Sequence, residues 1–177
     1  MRVVSIGDLV TDYYYKNGKL IGVNGGMSSH NIIANITKMN IDTAVFGVCG
    51  NDISGRISIK SLKDIGVNVD NIEIKKDLKT RCFHISYFDD DGKLEFKSKK
   101  RCPVCDEKRW YEPSKFDSNK ILTKIKEDDI LVFDNLNNEN QNIIDNCQNR
   151  KMLDIGQYFG FENYSNEEIV NKLYNKF

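Results

Sequence analysis

The sequence predicts an α/β protein built on a mostly parallel sheet, and three observations carry that expectation. Short apolar runs rich in β-branched residues recur at Arg2–Gly7, Ala44–Val48, Asp129–Phe133 and Lys151–Gly156. They are too short for helices and read as buried strands. Between them apolar residues fall at helical spacing: Ile32, Ile36 and Met39, with Ile33 beside them; Ile57, Ile59, Leu62 and Ile65; then Ile143, Ile144 and Cys147. Strand and helix signals alternate along the chain, the order expected when crossover helices join parallel strands.

Composition narrows the class. The 177 residues suffice for one domain with its own core. The 26 basic and 26 acidic side chains cancel, which argues against a nucleic-acid footprint or a basic membrane surface. No apolar run approaches the roughly 18 residues of a transmembrane helix, and Met1-Arg2 leads into a strand without a signal-peptide pattern. A cytoplasmic location is expected. The five cysteines (Cys49, Cys82, Cys102, Cys105, Cys147) are an odd set, so no disulfide framework is expected.

In chain order, the first strand closes on Gly7. Asp8 to Asp12 follows at its C-terminal end, where ligands sit in open parallel sheets. Read from the residues alone, Asp12 is either a turn or cap residue or a carboxylate that accepts hydrogen bonds from two neighbouring hydroxyls. Tyr13-Tyr14-Tyr15 and Leu20-Ile21 flank Lys16-Asn17-Gly18-Lys19, which predicts a hairpin around an Asn-Gly turn. Gly25-Gly26 would let the backbone pass close to a ligand. Ser28 or Ser29 is the expected cap of the next helix. Asn31, in its first turn, offers an amide that donates and accepts. That pairing suits a small polyhydroxylated molecule better than a packed core. His30 has no carboxylate partner visible in the sequence and is not counted as catalytic.

Asp52 is expected to enter the helix before Ile53-Ser54-Gly55, and Gly66 to stop it. Val67, Val69 and Ile72 then alternate into a strand. Thr80 to Phe96 predicts a second hairpin, with Phe83, Ile85 and Tyr87 alternating with His84 and Ser86. Asp89-Asp90-Asp91-Gly92 reads as its solvated turn rather than a metal site. Cys102-Pro103-Val104-Cys105 has zinc spacing but supplies two ligands of four. A site shared between two chains and a redox pair are the alternatives, and no metal is expected. A short helix around Ile121, Leu122 and Ile125 precedes the strand that ends at Asp134-Asn135. Asn138 to Asn149 is a polar helix, and Asp154 lies at a ligand-facing strand end. Ser165-Asn166-Glu167-Glu168 is a capping box opening a last helix, with Ile169, Leu173 and Phe177 on one stripe.

The ordered motifs are Gly25-Gly26, Asn31 at the helix start, Gly50-Asn51-Asp52-Ile53-Ser54-Gly55, and Gly66-Val67-Asn68-Val69-Asp70. Together they resemble the N-terminal half of ribokinase-like (PfkB-type) carbohydrate kinases, over nearly the whole chain. There are three departures. Four residues, Met27 to His30, separate Gly26 from Asn31, one more than the family has. Ile33 stands where a small residue is usual, and Asn40 where a glycine is usual.

The resemblance implies a three-layer α/β sandwich with a small β-sheet lid, formed from segments at about 12–24 and 80–100. It implies transfer of the γ-phosphate of ATP, as its magnesium complex, to a sugar or nucleoside hydroxyl. Asp12, five residues after Gly7, is placed on the sugar hydroxyls with Gly25, Gly26 and Asn31, and Asn135 or Asp134 beside them. Pairing of lids between two subunits would make a homodimer. The family's catalytic aspartate belongs to a Gly-Ala-Gly-Asp motif, which does not occur here, and neither does a Walker-type phosphate loop. No catalytic residue is therefore assigned, the C-terminal nucleotide-binding portion is expected to be absent, and the chain alone is expected to be inactive. The alternative is a non-catalytic sugar-binding or dimerisation module of the same fold.

Overall fold

The computed structural model describes residues 1–87, 115–154 and 167, and the backbone of 94–98. The strands are β1 (Val3–Asp8), β2 (Val10–Lys16), β3 (Lys19–Gly26), β4 (Thr43–Gly50), β5 (Asn68–Lys75), β6 (Arg81–Tyr87), β7 (Leu94–Ser98), β8 (Ile130–Phe133) and β9 (Arg150–Leu153). The helices are α1 (Ser28–Thr37), α2 (Ile53–Asp64), α3 (Ser118–Leu122) and α4 (Asn138–Asn146). Asp89–Asp91, Cys102, Cys105, Trp110, the Ser165–Glu168 box as a unit and the stripe ending at Phe177 lie outside the described residues.

The central sheet is five-stranded, in the order β5-β4-β1-β8-β9, with every neighbouring pair parallel. Val4, Ile6, Phe46, Leu131 and Phe133 point to one face, where they meet Ile121 of α3 and Ile143 and Ile144 of α4. Val3, Val45 and Val132 point to the other, against Ile33 of α1 and Leu62 of α2. Alternate residues of the same strands thus feed two apolar layers, as a sheet covered by helices on both faces requires. The result is an α/β three-layer arrangement.

The second sheet is four-stranded and mixed, in the order β3-β2-β6-β7. Both predicted hairpin segments contribute to it. In the first, Asn17 (φ 48°) and Gly18 (φ 77°) are both left-handed, the requirement of a type I′ turn. β2 and β6 lie side by side and parallel. Only Leu9 separates β1 from β2, so Asp12 is a strand residue and neither a turn nor a cap.

Helix ends agree in part with the expectations. Asp52 caps α2, accepting a hydrogen bond from Gly55 N at 2.8 Å. Gly66 (φ 94°) ends it with the bonds Gly66 N–H to Lys63 O and Val67 N–H to Leu62 O, a Schellman motif. Neither Ser28 nor Ser29 caps α1. Met27 occupies that position at φ 83° with no side-chain cap, and Ser29 is already inside the helix. Ile33 is fully buried, whereas Met39 lies beyond the helix and is 69% exposed, so it is not part of the core face. Asn40 sits at φ 60°, a left-handed conformation that glycine adopts freely and asparagine tolerates.

Candidate functional site

The site grows from the junction of the two sheets. Val10, Asp12 and Tyr14 share one face of β2, and Thr11, Tyr13 and Tyr15 the other. The second face packs on α2. Thr11 Oγ1 donates to Ser54 O at 2.7 Å, Tyr13 Oη is 3.1 Å from Ser54 Oγ, and Ser58 Oγ donates to Val10 O. The small buried side of α2, made of Ser54, Gly55 and Ser58, permits this close seating. The first face is therefore the one turned away from α2. Cross-strand pairing adds Asn24 and Gly26 of β3 to it, and Arg81, Phe83 and Ile85 of β6.

Asp12 is 6% exposed, and Tyr14 Oη donates to its Oδ2 at 3.4 Å. No other described residue bonds it. An ionised carboxylate has about four lone-pair sites, so one long hydrogen bond leaves it poorly solvated. Burial accordingly pushes its pKa from 3.8 up to about 6, with the Tyr14 hydrogen bond opposing the shift. Burial and the Asp12 charge push the Tyr14 phenol up to about 12, so it remains a donor at any ordinary pH. Gly26 lies diagonally across, and a Cβ there would overlap the Asp12 carboxylate. Gly25 has a different reason: its N–H donates to Ser61 Oγ at 2.9 Å, and a Cβ would press on Ser58 O of α2.

Tyr14, Asn24, Gly25, Gly26, His30 and Asn31 line a cleft of about 290 Å³ that extends between α1 and α2 past Ser58 and Ser61. Of the residues singled out from the sequence, Gly25, Gly26 and Asn31 thus meet at this cleft, with Asp12 against Gly26. Asn31 is exposed on the outer side of α1. Asn135 does not join them. Its amide donates to Asp134 Oδ1 at 2.7 Å, and its oxygen accepts from Asn137 N and from Asn140 Nδ2, so the side chain is engaged in the turn that enters α4.

A second polar group lies at the C-terminal ends of β1 and β8, and the sequence reading did not assemble it. Arg81 Nη2 and Asp8 Oδ2 form an ion pair at 2.8 Å with both side chains buried. Ser29 Oγ donates to Asp134 Oδ2 at 3.0 Å. His30 Nε2 is 3.1 Å from the Asp8 carbonyl and Nδ1 is 2.7 Å from Ser5 Oγ. A carbonyl can only accept, so Nε2 carries the hydrogen and Nδ1 accepts from the serine. Burial lowers the His30 pKa to about 4, which keeps the ring neutral. Burial, then the nearby Asp8 charge, pushes Asp134 up to about 7. The available signal was Arg81 itself, a cation in phase with Phe83 and Ile85 of the alternating run.

Among the described residues no three His, Cys, Asp or Glu side chains gather to hold an ion. At the start of α2 the Gly55 N–H is already taken by the Asp52 carboxylate, whose other oxygen accepts from Thr80 N–H.

No protein-family profile matches the sequence. The bifunctional protein HldE of Sulfurimonas denitrificans is 32% identical over 98 residues, covering 45% of this chain and 20% of that protein. Among solved structures, the apo fructokinase of Vibrio cholerae O395 superposes with a TM-score of 0.61 at 19% identity, covering 86% of this chain and 52% of its own. An uncharacterized sugar kinase of Pyrococcus horikoshii in complex with ATP gives 0.60 at 14% identity, covering 87% and 53%. A PfkB family carbohydrate kinase of Listeria grayi gives 0.56 at 15%, covering 76% and 42%. The chain spans about half the length of these solved structures and a fifth of the curated relative. It has the ribokinase-like α/β fold of PfkB-type sugar kinases, corresponding to their N-terminal portion.

Proposed function

We propose that this chain provides the acceptor side of an ATP-dependent carbohydrate kinase, holding a sugar or nucleoside whose hydroxyl receives the phosphoryl group. One observation carries the reading: the buried Asp12 carboxylate, underpartnered and faced by a glycine that only its bulk requires, on a fold shared with sugar kinases. Asp12 would accept hydrogen bonds from adjacent hydroxyls, with Gly25 and Gly26 giving close backbone approach and Asn31 at the rim of the cleft. The asparagine at 135 would act through Asp134, which it orients. ATP, as its magnesium complex, is the second substrate in this proposal, and its site is not among the residues described. No helix among the described residues is long and apolar enough to cross a membrane, and a cytoplasmic setting fits a sugar and ATP as substrates.

Calorimetry with D-fructose, D-ribose and adenosine tests the binding, and ADP release with Mg-ATP tests the transfer. Asp12→Ala should lose roughly 1.5–3 kcal/mol of binding for each hydroxyl bond removed. Equal affinity in wild type and Asp12→Ala would refute the assignment.

Leu20 and Ile21, 44% and 57% exposed on the edge strand β3, favour a second reading in which the small sheet pairs with another copy of the chain and serves dimerisation. Light scattering of wild type and Ile21→Lys separates the two, since only this reading requires a dimer that the charge abolishes.

A further inference from the structure

We infer that Tyr14 is a specificity-determining placeholder, its hydroxyl occupying on Asp12 the position that a hydroxyl of a neutral polyol takes when it binds. The inference rests on the proposed sugar site and names what the ligand must do there. Three geometric facts meet at this residue. Tyr14 Oη lies 3.4 Å from Asp12 Oδ2, close enough to donate but at the long end of a hydrogen bond. The strand register between β2 and β3 shifts between Tyr14 and Tyr15. Such a bulge re-aims a side chain, and here it follows directly on the residue that reaches back to Asp12. Tyr14 also lines the cleft together with Asn24 and Gly26, so the residue that donates to Asp12 borders the open space.

The chemistry of the placeholder defines its replacement. Asp12 is an acceptor, and the group now serving it is a neutral O–H on a carbon framework. A sugar hydroxyl is the same donor with better freedom to shorten the bond, and a second hydroxyl beside it can use lone pairs that Tyr14 leaves unserved. An ionised carboxylate brings only acceptors, and a phosphate brings like charge, so neither substitutes for a neutral hydroxyl on the ionised Asp12. A ligand carrying two adjacent hydroxyls therefore gains both, whereas one with a single hydroxyl only exchanges for what Tyr14 already gives.

The experiment is calorimetric titration of wild type, Tyr14→Phe and Asp12→Ala with D-fructose and D-ribose, with thermal unfolding as the check on folding. Without the competing phenol, Tyr14→Phe should bind the preferred sugar about two- to tenfold more tightly, while Asp12→Ala binds it more weakly than wild type. A loss of folding alone cannot produce a gain in affinity. Wild-type binding that Tyr14→Phe leaves unchanged or weakens would overturn the placeholder role and leave the sugar site standing. Absence of binding to either sugar in wild type and in Tyr14→Phe, with both proteins folded, would overturn the sugar-site reading and this inference with it.

Discussion

Replacing Asp12 by asparagine should stabilise the protein at neutral pH while removing the group proposed to hold the ligand. The argument is one of linkage. In the unfolded chain Asp12 titrates near 3.8; in the folded protein burial raises it to about 6. Between those values the folded state holds a proton that the unfolded state has lost. Protonated Asp12 therefore favours folding: its contribution is intact below about pH 4 and is lost as pH rises through 6. At about 1.36 kcal/mol per pH unit, the rise from 3.8 to about 6 amounts to about 3 kcal/mol. Asparagine cannot ionise, so Asp12→Asn escapes that loss. Its carbonyl can still accept from Tyr14, and any change in that bond is a pH-independent offset of about 1 kcal/mol or less. Asp134, raised to about 7, and His30, lowered to about 4, add their own slopes, in opposite directions. Both are present in the two proteins and cancel in the difference. Urea unfolding followed by circular dichroism at half-unit steps from pH 4 to 8 is the assay. The expected difference curve starts near its offset at pH 4 and rises to about 3 kcal/mol in favour of the variant by pH 7. A flat curve, or one that falls with pH, would refute the claim that Asp12 is held ionised at a cost in the folded protein.

Other perturbations test the surrounding framework. Gly26→Ala should destabilise by roughly 1–3 kcal/mol, and most of that loss should vanish when Asp12→Ala is added, a coupling read from a double-mutant cycle in thermal unfolding. Asp52→Ala removes both the α2 cap and the acceptor of the Thr80 N–H at 2.9 Å. A loss of roughly 2–4 kcal/mol in urea midpoint analysis is expected, above the roughly 1 kcal/mol of an ordinary cap. Arg81→Met removes an ion-pair partner of the buried Asp8 carboxylate and should cost roughly 3–5 kcal/mol, whereas Arg81→Met with Asp8→Leu should recover much of it. Equal losses in the single and double variants would show that the ion pair is not what joins the two sheets.

Much of the fold was legible because its signals are local and redundant. Ala44–Val48 and Ile130–Phe133 are apolar on both faces, which only a sheet covered on both sides can use. Asn17-Gly18 and Gly66 mark chain reversals that need left-handed backbone. What failed was legible only in three dimensions. Met39 follows the helical spacing of Ile32 and Ile36, but α1 has ended before it, and periodicity does not report where a helix stops. Arg81, Cys82, Phe83 and His84 are all buried, although alternation predicted one wet face. The reason is non-local: α2 covers one side through Ser54, while Asp8, Val10 and Met27 cover the other.

The same distinction explains the site. Asp12 is singled out by its place five residues after Gly7 once the family resemblance is added, and Gly26 by standing beside Gly25. Asn31 could be found as a residue of the first turn, but not its direction. Helical residues advance about 100° each, so Ser29 and Ile33, four apart, share the buried side of α1, and Asn31, two beyond Ser29, is turned most of the way round from it. Met27, at φ 83°, precedes the first turn of α1 without a side-chain cap. Ser29, on that buried side of α1, meets Asp134 through its hydroxyl. Asp134 accepts from Ser29 Oγ and from Asn135 Nδ2, yet lies buried beside the Asp8 carboxylate. This agrees with a carboxyl that burial and Asp8 push up to about 7. At neutral pH Asp134 is thus divided between its acid and carboxylate forms, whereas Asp12 is largely ionised. The junction of the two sheets therefore holds one carboxylate poised to accept hydrogen bonds and a second poised between donor and acceptor.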